Sequence, residues 1–285
     1  MTTGVAAAAP LAGSPVLGRV VLAAVLGLAV LWIAPLVWVL GLSLKPDDVL
    51  IQDTGNILSP PFTLRNYEAI LANSLVFRWI ANSALVALGQ TALILVLSSL
   101  AGYGFARAEF PGKNVLFIFV LAGLAVPEQA IFIPLHRIFS DLGLHNTHAG
   151  LILPRLAVPF GVFIMTQYFK AIPKEIEEAA QLDNASRLKI FLTIILPLSL
   201  PAQAALGIYS FLHAWNDYLW PLVSASKPEM YTLTLGLAST QKNFAQSEGL
   251  GYLMAQAVFA ALPTLAVYLL FQRHLITAVS GGAVK

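Results

Sequence analysis

The chain has 285 residues, of which 58% are hydrophobic and only 11% are charged, whereas charged residues make up about a quarter of an ordinary soluble domain. Its mean hydropathy is +0.78. These values exclude a water-soluble globular enzyme, and the net charge of +2 excludes an extended basic surface for nucleic acid. Because the sequence contains no cysteine, disulfides, thiolate metal ligands and a cysteine nucleophile are excluded as well.

The first 18 residues are rich in Ala, Pro and Gly, show no periodicity and predict a mobile tail. Two long uncharged runs follow, residues 20–44 and residues 79–106. Each exceeds the roughly 20 apolar residues that cross a bilayer, and the first is far longer than the core of a signal peptide. They predict the first two membrane helices.

Four further apolar stretches predict the third to sixth membrane helices, at residues 114–139, 150–169, 194–220 and 249–272. Several of them contain proline, which membrane helices tolerate because neighbouring helices and water satisfy the freed carbonyls. The prediction is therefore an all-α integral membrane protein with six transmembrane helices, formed by residues 19–285 behind the tail.

Six spans place both termini on the same side of the membrane. If that side is cytoplasmic, nine of the sixteen Lys and Arg residues lie there, close to the ends of spans. They are Arg19, Arg107, Lys113, Lys170, Lys174, Arg187, Lys189, Arg273 and Lys285. This bias predicts that both termini are cytoplasmic.

Residues 170–193 connect the fourth and fifth predicted spans on the cytoplasmic side, and local signals predict a helix, a tight turn and a second helix there. Pro173 and the glutamates behind it favour a helix start, because proline fits the first turn and acidic groups complement the helix dipole. Asn184 suits a left-handed position that ends this helix, and Ser186 suits the N-cap of the next. Helical spacing predicts a small apolar face directed into the cytoplasm, formed by Ile176, Ala179, Ala180 and Asp183.

The same segment resembles the EAA loop of the membrane-spanning permease subunits of binding-protein-dependent ABC importers. That pattern is E-A-A, three residues, G, nine residues, I, one residue, L-P. The residues that match it in order and spacing are Glu178, Ala179, Ala180, Ile194, Leu196 and Pro197. The chain departs from the pattern at Asn184, which replaces the glycine, and asparagine also accepts a positive φ.

Other strings resemble the carbohydrate-uptake subfamily of these permeases, of the maltose and glycerol-phosphate type. They include residues 106–113 (ARAEFPGK), 172–175 (IPKE), 215–218 (WNDY) and 282–285 (GAVK). The resemblance covers nearly the whole chain behind the tail. It implies that the solute is a sugar or a related compound, which none of these strings identifies by itself.

The resemblance implies a complex in the bacterial or archaeal inner membrane, with two permease chains, two ATPase subunits and an extracytoplasmic solute-binding protein. This chain would be one permease, surrounded by the lipid bilayer and not bound to nucleic acid. It has no phosphate-binding G-x-x-x-x-G-K-[ST] sequence, so no cofactor is expected on it and MgATP would bind to the ATPase subunits. The residues expected to couple to the ATPase are Glu178, Ala179, Ala180, Leu182, Asp183 and Asn184.

Four ionisable residues lie within or at the ends of predicted spans, where a charge is costly unless it is paired or in contact with water. They are Glu128, Arg155, His213 and Asp217. Helical spacing along the fifth span predicts a polar and aromatic face on the solute path, formed by Tyr209, His213, Asn216, Asp217 and Trp220. Residues 215–217 also resemble a motif found throughout the family whatever the solute, which favours a structural role at the outer mouth over direct contact with sugar.

Two other functional classes fit the sequence less well. A secondary transporter driven by an ion gradient would be expected to show repeated broken helices with paired acids, and would not need a cytoplasmic helix between spans four and five. A membrane-embedded enzyme or assembly factor would need clustered catalytic groups, which the sequence does not indicate. His145 and His148 have no nearby carboxylate except Asp141 and do not predict a metal site.

Overall fold

The computed structural model describes residues 15–52, 55, 57–240 and 249–280. Within those residues every regular element is a helix. The α-helices are α1 Pro15–Ser43, α2 Asp47–Gln52, α3 Arg65–Ala72, α4 Val76–Arg107, α5 Lys113–Ala122, α6 Phe132–Asp141, α7 His148–Ile152, α8 Pro159–Ala171, α9 Lys174–Leu182, α10 Arg187–Ile190, α11 Leu196–Leu198, α12 Leu200–Trp215, α13 Leu219–Ser224, α14 Leu233–Thr240 and α15 Leu250–Ser280. Short 3₁₀ segments lie at Gly123–Ala125, Glu128–Ile131, Leu153–Arg155 and Pro228–Met230, and a π-helical segment lies at Phe191–Ile195.

Three helices are long and apolar enough to cross a membrane unbroken, at Val16–Ser43, Val76–Arg107 and Leu250–Phe271. Three pairs of shorter helices pass the same test together but bend sharply at their junctions. The pairs are Lys113–Ala125 with Glu128–Asp141 at 101°, His148–Arg155 with Pro159–Ala171 at 52°, and Arg187–Leu198 with Leu200–Trp215 at 75°. By length and composition the described residues therefore hold three spans, or up to six if each bent pair is one span.

Prolines account for the positions of the first two bends, because the residue before a proline is pushed out of the helical region and the proline itself donates no hydrogen bond. Val126 precedes Pro127 with an extended ψ of 117°, and Val158 precedes Pro159 with a ψ of 93°. The first helix also begins earlier than predicted, because α1 starts at Pro15, within the predicted tail of residues 1–18. The rest of that tail, residues 1–14, lies outside the described residues.

The chain divides into two compact units, which are considered separately. The smaller unit comprises Met1–Glu68 and Ser247–Val258. It is held by polar side chains on backbone groups: the Asn66 amide donates to the carbonyls of Ser43 and Lys45 at 2.9 and 3.0 Å. The Asp47 carboxylate accepts from the backbone N–H groups of Gly249 and Gly251 at 3.1 and 2.9 Å, and so ties the start of α2 to the start of α15.

The larger unit comprises Ala69–Gln246 and Phe259–Lys285, and α4 is its central helix, packed against both α8 and α12. One apolar cluster joins these helices to the segment behind α9; its buried members are Ile94, Ala106, Met165, Phe169, Ile172, Ile190, Phe191, Ile195, Ala202 and Leu206. A second cluster contains Val86, Leu151, Trp220, Ala225 and Leu235. The cluster around Phe169 thus connects α4 with α9 and α10.

Small residues let α4 and α8 approach closely, as helices do in membranes. A Cβ atom added at Gly102 would lie 2.7 Å from Met165 Cβ and 3.0 Å from Thr166 N. A Cβ atom added at Gly161 would overlap Ser98 Oγ. At Gly104, two residues further along α4, the same addition meets no atom within 4 Å.

This contrast predicts opposite effects for two matched substitutions. Gly102→Ala should destabilise the protein by about 1–3 kcal/mol because α4 and α8 must separate. Gly104→Ala should be neutral or stabilising by up to about 1 kcal/mol, because alanine is the better helix former. Thermal unfolding of the purified protein in detergent measures both, and equal melting temperatures for the two variants would contradict the packing described here.

Candidate functional site

Helix α9 begins and ends where the local sequence predicts. Pro173 precedes its first residue, and Glu175 and Glu177 lie in the first turn. Asn184 has a φ of 56°, in the left-handed region predicted for it. Ser186 then caps α10, its hydroxyl accepting from the Lys189 N–H at 3.3 Å. The turn between the two helices therefore follows from Asn184 and Ser186.

The residues predicted to couple to an ATPase do not all lie on one side of α9. Five of them are exposed: Glu178, Ala179, Leu182, Asp183 and Asn184. Leu182 is 86% exposed, although it is a large apolar side chain. We call these five residues the outer face of α9.

Ala180 was predicted to share the exposed face with Ile176, Ala179 and Asp183, and this prediction is wrong. Ala180 is partly buried and packs against the apolar cluster that contains Ile190 and Phe191. The reason is the turn at Asn184, which folds α10 back beside α9, so that the surface around Ala180 is covered by the chain itself.

Glu177 is a buried and paired charged residue of α9 that the sequence pattern did not single out. Its side chain is only 8% exposed, it forms an ion pair with the Arg107 Nε, and it accepts from the Tyr103 hydroxyl at 2.9 Å. Arg107 also donates through Nη2 to the Ile172 carbonyl at 2.7 Å. Glu177 precedes the partly buried Ala180 by three residues and so shares its side of the helix, but helical spacing had assigned Ala180 to the exposed face and therefore gave no signal for Glu177.

A separate cavity of about 460 Å³ lies where several helices break. Its polar lining includes Gln90 on α4, Glu128 and Arg155 beside the first two bends, and Tyr209 and His213 on α12. The volume falls within the roughly 300–1,000 Å³ of small-molecule sites. The Gln90 amide is occupied, donating to the Leu151 carbonyl at 3.0 Å.

Arg155 organises the charges around this cavity. Its side chain is 6% exposed and pairs with the carboxylates of Glu128 and Asp217, the second at 3.3 Å. Asp217 is 10% exposed and its other oxygen accepts from the Trp220 N–H at 3.3 Å. Because a buried cation is tolerated only when it is paired, the two carboxylates make Arg155 possible here.

The half-exposed groups at the cavity are a carboxylate, an imidazole and aromatic rings. Glu128 and His213 are 41% and 43% exposed, and His213 Nε2 lies 3.7 Å from Glu128 Oε2. Tyr209 packs on Phe160 with ring centroids 5.2 Å apart and on His213 at 6.0 Å. Such a surface can stack on a sugar ring and accept hydrogen bonds from its hydroxyls.

Of the residues predicted along the fifth span, Tyr209 and His213 line this cavity, whereas Asn216, Asp217 and Trp220 do not. The prediction of one helical face from Tyr209 to Trp220 is wrong, because α12 ends at Trp215 and a new helix begins at Leu219. Trp220 is 1% exposed and its indole N–H donates to the Gly150 carbonyl at 3.0 Å. Asn216 donates to the Leu212 carbonyl at 2.8 Å and closes the end of α12.

Comparison with known proteins gives concordant matches. Residues 94–281 match the model of the family described as "Binding-protein-dependent transport system inner membrane component". The arabinooligosaccharides transport system permease protein AraQ of Bacillus subtilis (strain 168) is 34% identical over 257 residues, which cover 89% of this chain and 91% of AraQ. The diacetylchitobiose uptake system permease protein NgcG of Streptomyces coelicolor is 33% identical over 261 residues, covering 89% and 84%.

A solved structure has the same fold. It is a crystal structure of a bacterial ABC transporter involved in the import of the acidic polysaccharide alginate. One of its chains superposes with a TM-score of 0.78 at 22% identity, covering 91% of this chain and 97% of that one.

Proposed function

The chain belongs to the family of binding-protein-dependent transport system inner membrane components, and we propose that it forms half of the translocation pathway of an ATP-driven importer for a neutral sugar or oligosaccharide. The other half would be a second permease chain. The observation that carries this proposal is the outer face of α9, which holds an apolar residue, Leu182, 86% exposed beside Ala179. A docked partner protein would remove the apolar side chain of Leu182 from water, which is favourable.

The membrane topology that we propose counts each bent helix pair as one span. Six spans then result, with α1, α4 and α15 unbroken, and α9 lies in the connection between the fourth and the fifth. The positive residues near the ends of α4, α8 and α10 support a cytoplasmic location for that connection. Both termini would be cytoplasmic as well.

Coupling would occur where the outer face of α9 docks on one of two separate ATPase subunits, which bind and hydrolyse MgATP. Ala179 is small and exposed, so that a partner can approach the helix closely. Ala180 supports the helix from behind through its contact with the apolar cluster. An extracytoplasmic binding protein would deliver the solute from the opposite side.

The cavity beside Arg155 is the segment of the solute path that we assign to this chain, with Tyr209 and His213 at its wall and Asp217 acting through Arg155. Among the described residues that line it, Arg155 is the one Lys or Arg side chain, and two carboxylates already engage it. With the imidazole neutral, these groups carry one excess negative charge. That balance favours neutral solutes with hydroxyl donors and disfavours anions.

Reconstitution of the complete complex, purified through a tag on this chain, tests the proposal. Uptake of labelled neutral di- and oligosaccharides into proteoliposomes should require the binding protein on one side and hydrolysable MgATP on the other. A non-hydrolysable ATP analogue serves as the control and should support no uptake. Uptake that follows a proton or sodium gradient and ignores MgATP would instead identify a secondary transporter.

A further inference from the structure

The buried cluster of Tyr103, Arg107 and Glu177 occupies the junction between α9 and the helix bundle. We infer that it is the mechanical link through which movement of α9 reaches α4 and the solute cavity. The inference rests on the proposed function, since it assumes that an ATPase moves α9. It assigns Glu177 and Arg107 as positioning residues, which act through α4 and touch neither nucleotide nor solute.

The guanidinium of Arg107 joins three elements at one point. It belongs to the last residue of α4, it pairs with Glu177 on α9, and it donates at 2.7 Å to the carbonyl of Ile172, which caps the end of α8. The side chains of Arg107 and Glu177 are 11% and 8% exposed. Charge-assisted hydrogen bonds that are shielded from water are the strong ones, so this junction resists separation.

Tyr103 adds a second attachment one turn earlier on α4. Its hydroxyl donates to the other oxygen of Glu177, and its ring packs against Phe169 at 6.0 Å and Phe191 at 4.9 Å between centroids. Both carboxylate oxygens of Glu177 are therefore held by α4. Ala180 gives α9 an additional apolar contact with the cluster, and an apolar contact can slide where a paired carboxylate cannot.

Helix α4 connects this junction to the cavity without interruption. It runs unbroken from Val76 to Arg107 and contains no proline, unlike the bent pairs. Gln90 and Ile94 on the same helix line the cavity. Gln90 lies 17 residues before Arg107, which is roughly 25 Å along a helix with a rise of 1.5 Å per residue.

Tight packing prevents α4 from absorbing a displacement by bending. Gly102 packs against Met165 of α8 close to the junction, and the contact leaves no room for a Cβ atom. A force applied at Glu177 would therefore move α4 and α8 together, and with them the wall of the cavity at Gln90. A purely structural anchor would stabilise α9 but would not change how the cavity responds to nucleotide.

The absence of cysteine from the chain permits a direct experiment. Leu124 lines the cavity and is 53% exposed, so Leu124→Cys reports access to it when a maleimide is added to the intact complex. Labelling is read on this chain after the subunits are separated, with and without ATP and vanadate. In this reporter chain the labelling rates with and without ATP and vanadate should differ by about 5–150-fold. This is the change in equilibrium that typical coupling free energies produce.

Glu177→Ala in the reporter chain should bring this ratio close to one, while the ATPase subunits still copurify and hydrolyse ATP. Glu177→Gln keeps the shape and loses the charge, and should give an intermediate ratio; it replaces the alanine variant if the latter does not fold. Tyr103→Phe should reduce the ratio least. The matched control is Glu109→Gln. Glu109 is 85% exposed and pairs with Lys113, so this variant removes a surface ion pair and should leave the ratio unchanged.

Two results would overturn the inference. One is an unchanged labelling ratio in Glu177→Ala and Glu177→Gln. The other is loss of the ATPase subunits from these variants, which would make the cluster a support for docking and not a link. Failure of the proposed function is a different result, because the reporter chain with Glu177 intact would then show no ATPase partner and no response to nucleotide.

Discussion

Replacement of Arg155 by methionine is expected to destabilise the protein by about 3–5 kcal/mol, the usual cost of removing one partner from a buried ion pair. Asp217 would remain 10% exposed without a cation, and Glu128 would lose its partner on the other side. The folded fraction in detergent should fall sharply. Fluorescence-detected size exclusion after a temperature series measures this effect.

Two further variants separate the loss of charge pairing from the loss of the side chain. Arg137→Met makes the same replacement at an exposed position of α6 and should cost little. Adding Glu128→Gln and Asp217→Asn to Arg155→Met removes both uncompensated charges and should recover much of the lost stability. If the triple variant were no more stable than Arg155→Met, the account of Arg155 as a paired buried cation would be wrong.

Replacement of Ala179 by tryptophan should abolish ATP-driven transport without unfolding the chain. Ala179 is exposed on the outer face of α9, so an indole at this position would extend into solvent and hold the helix away from a docked subunit. The expected result is a normally folded permease from which the ATPase subunits are lost. Copurification of tagged permease with the ATPase, together with the melting temperature, measures both halves of the prediction.

Ala180→Trp provides the informative contrast, because Ala180 packs against the apolar cluster behind α9. It should lower the melting temperature as well as the ATPase content. Ala122→Trp, at an exposed position of α5, is the control for the bulk of tryptophan alone and should leave both quantities unchanged. Full retention of the ATPase by Ala179→Trp would remove the docking surface from the outer face of α9.

Local rules were sufficient for the boundaries of α9 and α10 and for the apolar helices. Runs of apolar residues marked the membrane segments because their composition is itself the requirement for crossing a bilayer. Pro173, Asn184 and Ser186 marked the limits of α9 and α10 because each acts on the backbone within a few residues. These features need no information about distant parts of the chain.

The partners of the buried charged side chains could not be predicted from the local sequence. Arg155 finds Glu128 27 residues before it and Asp217 62 residues after it, and helical spacing carries no signal for such partners. The same spacing assigned Trp220 to an open face, whereas α12 stops at Trp215 and the indole is buried. Helical spacing likewise grouped Ala180 with Ala179, although Ala180 packs against the apolar cluster and Ala179 is exposed.

The sequence by itself determined that this protein is helical, with apolar segments long enough to cross a membrane and a capped helix between two of them, because composition and capping act locally; the permease family came from the resemblance of its motifs. Only the tertiary structure decided which side of that helix faces outward, that Glu177 is held by Tyr103 and Arg107, and where the charges around the cavity are neutralised. The physical reason is that a buried charge is stable only beside its partner, and the fold alone determines which distant residue that partner is.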